Sequence, residues 1–454
     1  MTDQQTAGQA ARAKLARDRL GRNYFKLFGA STISNLGDGI GTIAYPWLAS
    51  ALTRNPLLIA LVAVVQRLPW LLFSLPAGVI TDRRNRRSLM VMANVVRTIL
   101  TLGVAFVVVA RDSSLPGADI LNDPDAELPT NVALYLLVLF ATLMLGTAEV
   151  LYDNAAQTFM PAIVHSEQLE KANGRLWSTE MVANTFAGPP FGAFLIASAF
   201  ALPFFVDAGT FAVSACLIAL IPKSTTASTA GSPSGPKSSW RSELMEGIRW
   251  LWNHELLRPL AIILGLLNAI GALTGAVLIL FAQEVLETSA TEFALLTTGG
   301  AIGGLIGGWT ASNVSRRIGS GPSLYVTLLG GAVTNVAIGS TNSWMFAWVM
   351  FAFSTFTAVL WNVITVSLRQ TIIPDHLLGR VNSVYRFFAW GMMPVGSVLA
   401  GVVVLVGDAV LSRELALRLP AFIGGGLHIL LFMFAAPKLT TAKIEGARAA
   451  ATGD

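Results

Sequence analysis

An aspartate stands in the middle of an apolar stretch, in Asn35-Leu-Gly-Asp38-Gly-Ile-Gly41, and Arg67 stands in the middle of the next one. An ionisable group in such a setting costs roughly 2.5–3.5 kcal/mol on insertion scales, so it marks a task. For a desolvated carboxylate the task is proton binding: burial favours the neutral form and a nearby guanidinium the charged one. Adjacent antiparallel helices bring Asp38 and Arg67 to one depth. Asp38 is therefore a candidate proton- or substrate-responsive acid tuned by Arg67, with a permanent structural ion pair as the alternative. Arg97, Glu149, Asp153, Glu180 and Arg386 also stand in or at the ends of apolar stretches. They read as a charge network bracing a gate, or as a second proton site. Other chemistries find no residues. Cys216 is the one cysteine, and His165, His254, His376 and His428 lie too far apart for a metal-ligand spacing. The glycines between Gly299 and Gly308 lack the Gly-Lys-Ser/Thr of a nucleotide loop. No nucleophile–base pair, metal set or cofactor motif is present, which argues against an enzyme.

The elements that hold these charges follow from composition. The 454 residues are 54% hydrophobic and 13% charged, with mean hydropathy +0.61. A soluble domain carries about 25% charge, so the solvent is lipid. About 20 apolar residues cross a bilayer as helix. Twelve such runs are expected: 24–50, 57–80, 88–110, 131–155, 175–199, 202–222, 259–283, 291–312, 321–340, 343–367, 382–407 and 417–436. Twenty-three of the 31 Lys and Arg fall in the tails and alternate loops on one side, against Arg54, Arg111, Arg413 and Arg418 on the other. The positive-inside rule then puts both termini in the cytoplasm. The net charge of +5 thus reflects topology, and no nucleic-acid partner is implied. On this topology Asp207 faces the outer vestibule, His428 is a core residue, and Asp112, Asp119, Asp123, Asp125 and Glu127 form a solvated outer loop.

The two halves repeat. Gly78-x3-Asp82-x3-Arg86-Arg87 matches Gly308-x3-Ser312-x3-Arg316-Arg317, Lys171-Ala-Asn173 matches Arg380-Val-Asn382, and Pro190-x-Gly192 matches Pro394-x-Gly396. The expected layout is a tail (1–22), a six-helix bundle (23–222), a linker (223–257), a second six-helix bundle (258–438) and a tail (439–454). The linker joins a Ser/Thr/Gly/Pro tether to an amphipathic helix with Trp240, Leu244, Ile248 and Leu251 on one face, expected along the membrane surface. Duplicated bundles of this kind serve alternating access in secondary transporters.

The segment Gly78-Val-Ile-Thr-Asp82-Arg83-Arg84-Asn85-Arg86-Arg87 resembles the loop signature of the major facilitator superfamily between helices two and three. Its arginines are expected at the anionic inner leaflet. Gly188-Pro189-Pro190-Phe-Gly192-Ala193 resembles the motif of the drug:proton antiporters, with Ala193 in place of a final glycine. The stretch from Gln66 to Gly78, with Asn173-Gly-Arg175, is most similar to the bacterial siderophore- and macrolide-exporter branch. The resemblance implies an all-α membrane protein of 12 transmembrane helices in two pseudo-symmetric bundles. It further implies an inner gate at Gly78, Asp82, Arg83, Arg86 and Arg87, and a substrate cavity that includes Asn35, Gln66, Asn268, Trp361 and Asn362. The glycine columns Gly299/Gly303/Gly307 and Gly300/Gly304/Gly308 are a sliding seam or static packing. The implied function is proton-coupled efflux of a small amphipathic compound by a monomer in the plasma membrane. A proton symporter importing a nutrient, and a non-transporting sensor on the same fold, are the alternatives.

Overall fold

In a computed structural model the chain is described over residues 20–111, 115–116, 118–121, 130–164, 168–222 and 240–452. Among the described residues the regular structure is all helical. The helices are α1 (Arg22–Leu52), α2 (Pro56–Arg83), α3 (Arg86–Arg111), α4 (Val132–Ile163), α5 (Leu169–Glu180), α6 (Gly188–Ser198), α7 (Leu202–Ala219), α8 (Trp240–Asn253), α9 (Leu257–Gly275), α10 (Leu278–Glu284), α11 (Ala290–Ile318), α12 (Ser320–Ser340), α13 (Trp344–Ile372), α14 (Asp375–Asp408), α15 (Arg413–Ala435) and α16 (Thr441–Thr452). Among the described residues nine stretches are long and apolar enough to cross a membrane. Helix also fills the other expected runs, at lower hydropathy because they carry the polar and glycine-rich motifs. The count of twelve crossings therefore rests on the repeat and the loop charges. Large apolar side chains face outward, among them Phe106, Phe194, Trp309, Leu430 and Met433. A water-facing surface would not tolerate such an expanse; lipid does, and helices satisfy their own backbone within it.

Local chemistry sets the boundaries. Asn55 Oδ1 accepts from the backbone N–H of Leu57 at 2.9 Å, and Pro56 starts α2 where its missing N–H costs nothing. Ser289 and Glu292 form a reciprocal capping box at the start of α11. Ser343 and Ser412 cap α13 and α15. The prolines of Gly188-Pro189-Pro190 supply no N–H to the preceding turn, and residues Met181–Ala187 widen there into a π-helical turn. The expected single run 259–283 is broken instead at Ala276–Val277, between α9 and α10. Gly275 lowers the cost of leaving the helix there.

Contacts divide the chain into two units. The first takes residues 1–44, 72–112 and 140–234, and the second takes 45–71, 113–139 and 235–454. The first has its core at Tyr24, Leu27, Met90, Tyr152 and Phe159. The second has its core at Leu257, Leu260, Trp361, Leu368 and Tyr385. Ile248 and Leu251 of α8 pack into this second core, and Trp252 stacks on Phe388 at 6.4 Å between centroids. The amphipathic helix thus spends this part of its apolar face on α14 rather than on the membrane surface; the side chains of Trp240 and Leu244 lie outside the described residues. Gly299, Gly303 and Gly307 let α11 press against Trp348, Ala352 and Val359 of α13, whereas a Cβ at Gly308 would meet nothing within 4 Å.

The α8–α9 junction carries a pH-dependent cap. His254 Nδ1 accepts from the backbone N–H groups of Leu256 and Leu257, both at 3.2 Å. Burial pushes the His254 imidazole below its ordinary range, opposed by the Glu255 charge. A neutral ring is needed to accept, so the cap contributes fully above about pH 6.5. It is lost as pH falls through the lower folded value. His254→Ala is expected to cost about 1 kcal/mol, read as faster hydrogen exchange at Leu256 and Leu257 at pH 8, with the difference shrinking toward pH 5.

Candidate functional site

In the first unit, Gly37 and Gly39 flank Asp38 and decide what approaches it. A Cβ at Gly37 would collide with Thr210 Oγ1 and Asp207 Oδ1 of α7. A Cβ at Gly188 would stand 2.5 Å from Gly39 Cα, and one at Gly192 would stand 2.9 Å from the Ile40 carbonyl. Two helices therefore press on α1 on either side of the acid. Pro189 is buried and Pro190 half-buried at this crossing. Gly188→Leu is expected to force α1 and α6 apart and lower the thermal midpoint by several degrees. Gly174→Leu, at a glycine with open space around it, should change the midpoint little.

Asp38 is paired, and its partner is Arg97. The Arg97 Nη2 donates to Asp38 Oδ1, Nη1 donates to Ser34 Oγ at 3.2 Å, and the guanidinium lies over the Phe211 ring at 3.8 Å. The guanidinium is 3% exposed and the carboxylate 25%. Glu149, Asp153 and Asp207 all lie within electrostatic reach of Arg97, and Glu180 within reach of Asp38 and Asp153. Asn94 and Ser214 close the layer with a hydrogen bond of 2.8 Å. Asp207 is 3% exposed, and its Oδ1 has no hydrogen-bond partner. It belongs to this cluster instead of facing an open vestibule.

The expected Asp38–Arg67 pair is therefore corrected. Arg67 is exposed and lies over the Trp390 ring at 5.7 Å, while Trp70 stacks on the same ring at 6.4 Å. Matching the middles of neighbouring spans placed Arg67 by depth. Arg67 belongs to the second unit, and its guanidinium lies against an indole of that same unit. Gln66 is exposed beside it. Asn35 donates to the Ser31 carbonyl of its own helix at 2.8 Å.

The loop arginines also turn inward. Arg86 Nη1 donates to the Thr158 carbonyl at 2.8 Å. Arg87 donates to the carbonyls of Ile218 and Ala219, and Lys26 donates to that of Leu220. Ile218, Ala219 and Leu220 stand at the C-terminal end of α7, where the helix dipole attracts cations, and Thr158 lies in the last two turns of α4. The side chains of Gly78, Asp82, Arg83 and Arg386 lie outside the described residues.

The second unit holds a charge cluster for which the sequence offered only loop arginines. Glu284, whose side chain is 1% exposed, closes α10 and meets Arg54 Nη1 at 3.2 Å and Arg413 Nε at 2.8 Å. Arg413 also meets Asp408 at 3.0 Å and donates to the Arg54 carbonyl at 3.0 Å. Gln283 accepts from Arg54 and donates to Ser50 Oγ, each at 3.0 Å. The ends of α1, α10, α14 and α15 are thereby tied at one point. The missed signal was an acid closing an otherwise apolar run.

Asn268, Trp361 and Asn362 do share a cavity, within the second unit. His428 lines it as well, with Nδ1 donating to the Gly424 carbonyl at 2.9 Å and the ring seated against Gly331. Among the described residues no group of His, Cys, Asp or Glu is arranged to hold a metal ion.

A family model described as Major Facilitator Superfamily matches residues 27–397. The multidrug efflux pump Tap of Mycolicibacterium fortuitum is 26% identical over 425 residues, covering 89% of this chain and 94% of the relative. The enterobactin exporter EntS of Citrobacter koseri is 22% identical over 364 residues, covering 79% and 80%. Among solved structures, a bacterial homologue of the iron transporter ferroportin in an inward-facing state superposes with TM-score 0.66 at 17% identity, covering 92% of this chain and all of that one. A D-xylose-proton symporter superposes with TM-score 0.65 at 14% identity, covering 92% and 99%. Helical lipid-facing architecture and a family match over most of the length agree: the chain belongs to the Major Facilitator Superfamily, as a multi-pass membrane transporter.

Proposed function

We propose that this transporter exports a small amphipathic organic compound, a drug, antibiotic or siderophore, in exchange for protons. It works as a monomer in the plasma membrane with both termini in the cytoplasm. The halves 23–222 and 258–438 rock about the linker 223–257. The observation that carries the reading is the acidic cluster on Arg97. Four carboxylates, Asp38, Glu149, Asp153 and Asp207, share one guanidinium. Fully ionised, they would place several negative charges around that one cation in a low-dielectric interior, where like charges repel. Protons relieve that charge. A conformational change that alters how Arg97 is shared alters proton occupancy, and a proton gradient then biases the change.

In the proposed topology the Arg54–Glu284–Arg413 cluster lies at the outer mouth, and Gly78, Asp82, Arg83, Arg86, Arg87 and Arg386 at the inner one. Export over import is supported by the Gly188-Pro189-Pro190-x-Gly192 segment and by the exporter names of the relatives. Inverted membrane vesicles test both points. With an acid interior, vesicles containing the protein should accumulate members of a drug and siderophore panel, and nigericin should abolish the accumulation. Accumulation that survives nigericin would remove the coupling. Uptake confined to right-side-out vesicles would reverse the direction.

A further inference from the structure

Inside the second unit, between α9, α10, α12, α13 and α15, lies a cavity of about 240 Å³. For scale, an engineered cavity of about 150 Å³ accepts benzene, so this one takes roughly two fused rings. Its walls are largely apolar, from Leu264, Phe281 and Phe351 to the Trp361 indole. None of its lining residues is Asp, Glu, Lys or Arg. A charged group would enter unpaired, at a cost no neutral group meets.

The polar groups that line it divide into two sets. Asn335 donates to the Gly331 carbonyl at 2.9 Å, Asn362 to that of Ala358 at 3.1 Å, and the Thr327 and Thr357 hydroxyls to carbonyls nearby. Those donors are spent on helix backbone. The Asn268 carboxamide makes no such bond, which leaves both its N–H₂ and its carbonyl oxygen for an occupant. Because Nδ1 of His428 faces a carbonyl, that nitrogen is the donor and Nε2 is left as the acceptor of the neutral ring. Polar groups within a helical bundle are seldom left without partners. The Trp361 indole N–H is likewise buried without a partner, so uncharged donors from Asn268 and Trp361 and uncharged acceptors from Asn268 and His428 are set in an apolar chamber beside the break between α9 and α10.

We propose that this chamber is a binding subsite for an uncharged, planar bicyclic group that carries an amide-like edge, one N–H and one C=O. Asn268 pairs with both atoms of that edge, and His428 accepts a further donor. The assignment rests on the exporter reading for its link to transport, since it names which part of the exported compound is recognised.

The test uses the purified full-length protein in lipid nanodiscs, with empty nanodiscs subtracted for partition into lipid. Four probes built on the same fused bicycle separate the chemistry: 2-quinolone, naphthalene, N-methylquinolinium and quinoline-2-carboxylate. Saturable binding is expected for 2-quinolone alone. Asn268→Leu, which keeps the volume and removes the carboxamide, should weaken it about tenfold. Ala358→Phe, at an exposed lining position, fills the chamber and should abolish it while leaving the thermal midpoint in place. Equal binding of naphthalene or of either ion, or unchanged affinity in both variants, would overturn the proposal. Binding is read without a gradient. Intact 2-quinolone binding together with vesicles that move nothing would therefore fail the exporter reading and leave the subsite standing.

Discussion

Asp38→Asn is expected to abolish the proton-gradient-driven part of efflux while leaving substrate binding in place. The asparagine keeps the shape and a hydrogen-bonding oxygen, but it can neither take up a proton nor balance the Arg97 charge. Glu149, Asp153 and Asp207 stay within reach of that charge, so the fold should survive. Arg97→Gln is the harsher change. It leaves the carboxylates without their shared cation, and breaking a buried pair from one side costs roughly 3–5 kcal/mol. Efflux in inverted vesicles and a thermal melt in detergent separate the two effects: a coupling loss for Asp38→Asn, a stability loss for Arg97→Gln. Arg67→Gln is the control. It should forfeit only the contact with Trp390, worth about 0.5–1 kcal/mol at an exposed site, with coupling intact. Gradient-driven efflux that persists in Asp38→Asn, or disappears in Arg67→Gln, would return the coupling role to the pairing first expected from the sequence.

The second large effect is at Glu284. Replacing it with Ala leaves Arg54 and Arg413 facing one another where their common acid stood, in a site with only 11% and 14% side-chain exposure. The expected loss is about 3–5 kcal/mol, seen as a lower thermal midpoint. Removing one cation as well, in Glu284→Gln with Arg413→Gln, should recover much of that loss, because neutral groups pay far less to be buried. A double variant no more stable than Glu284→Ala would mean that the site is held by packing instead of charge. In the proposed topology the same variant loosens the outer mouth. A cysteine placed at Ser50, in a Cys216→Ser background, should then react faster with an impermeant thiol reagent added from outside.

Much of the architecture was legible because lipid makes strict demands. A chain with this hydropathy must satisfy its backbone internally, so the runs had to be helices. The glycine and proline motifs marked helix crossings, and Gly188 and Gly192 do meet α1 beside Asp38. The acids were equally visible, since each is expensive in an apolar run. Partnership was not visible. Asp38 and Arg67 share a depth in the sequence, yet a helix offers several faces at each depth, and the choice among them is made by what packs behind. Gly37 and Gly39 let α7 and α6 close onto α1, which brings Asp207 to the acid, while Arg97 reaches it from α3.

The cluster at Glu284 makes the same point from the other side. Residues 54 and 284 are far apart in the chain from each other and from the neighbouring pair Asp408 and Arg413, and nothing in the spacing joins the three places. Only the convergence of four helix ends does. By itself, the order of residues determined the solvent, the helical class, the repeat and which buried charges needed an explanation, because those depend on composition and on local periodicity. The tertiary structure alone decided which charge answers which, and which polar groups are left unspent in the cavity, because rotation about a helix axis is settled by neighbours and not by the helix's own sequence.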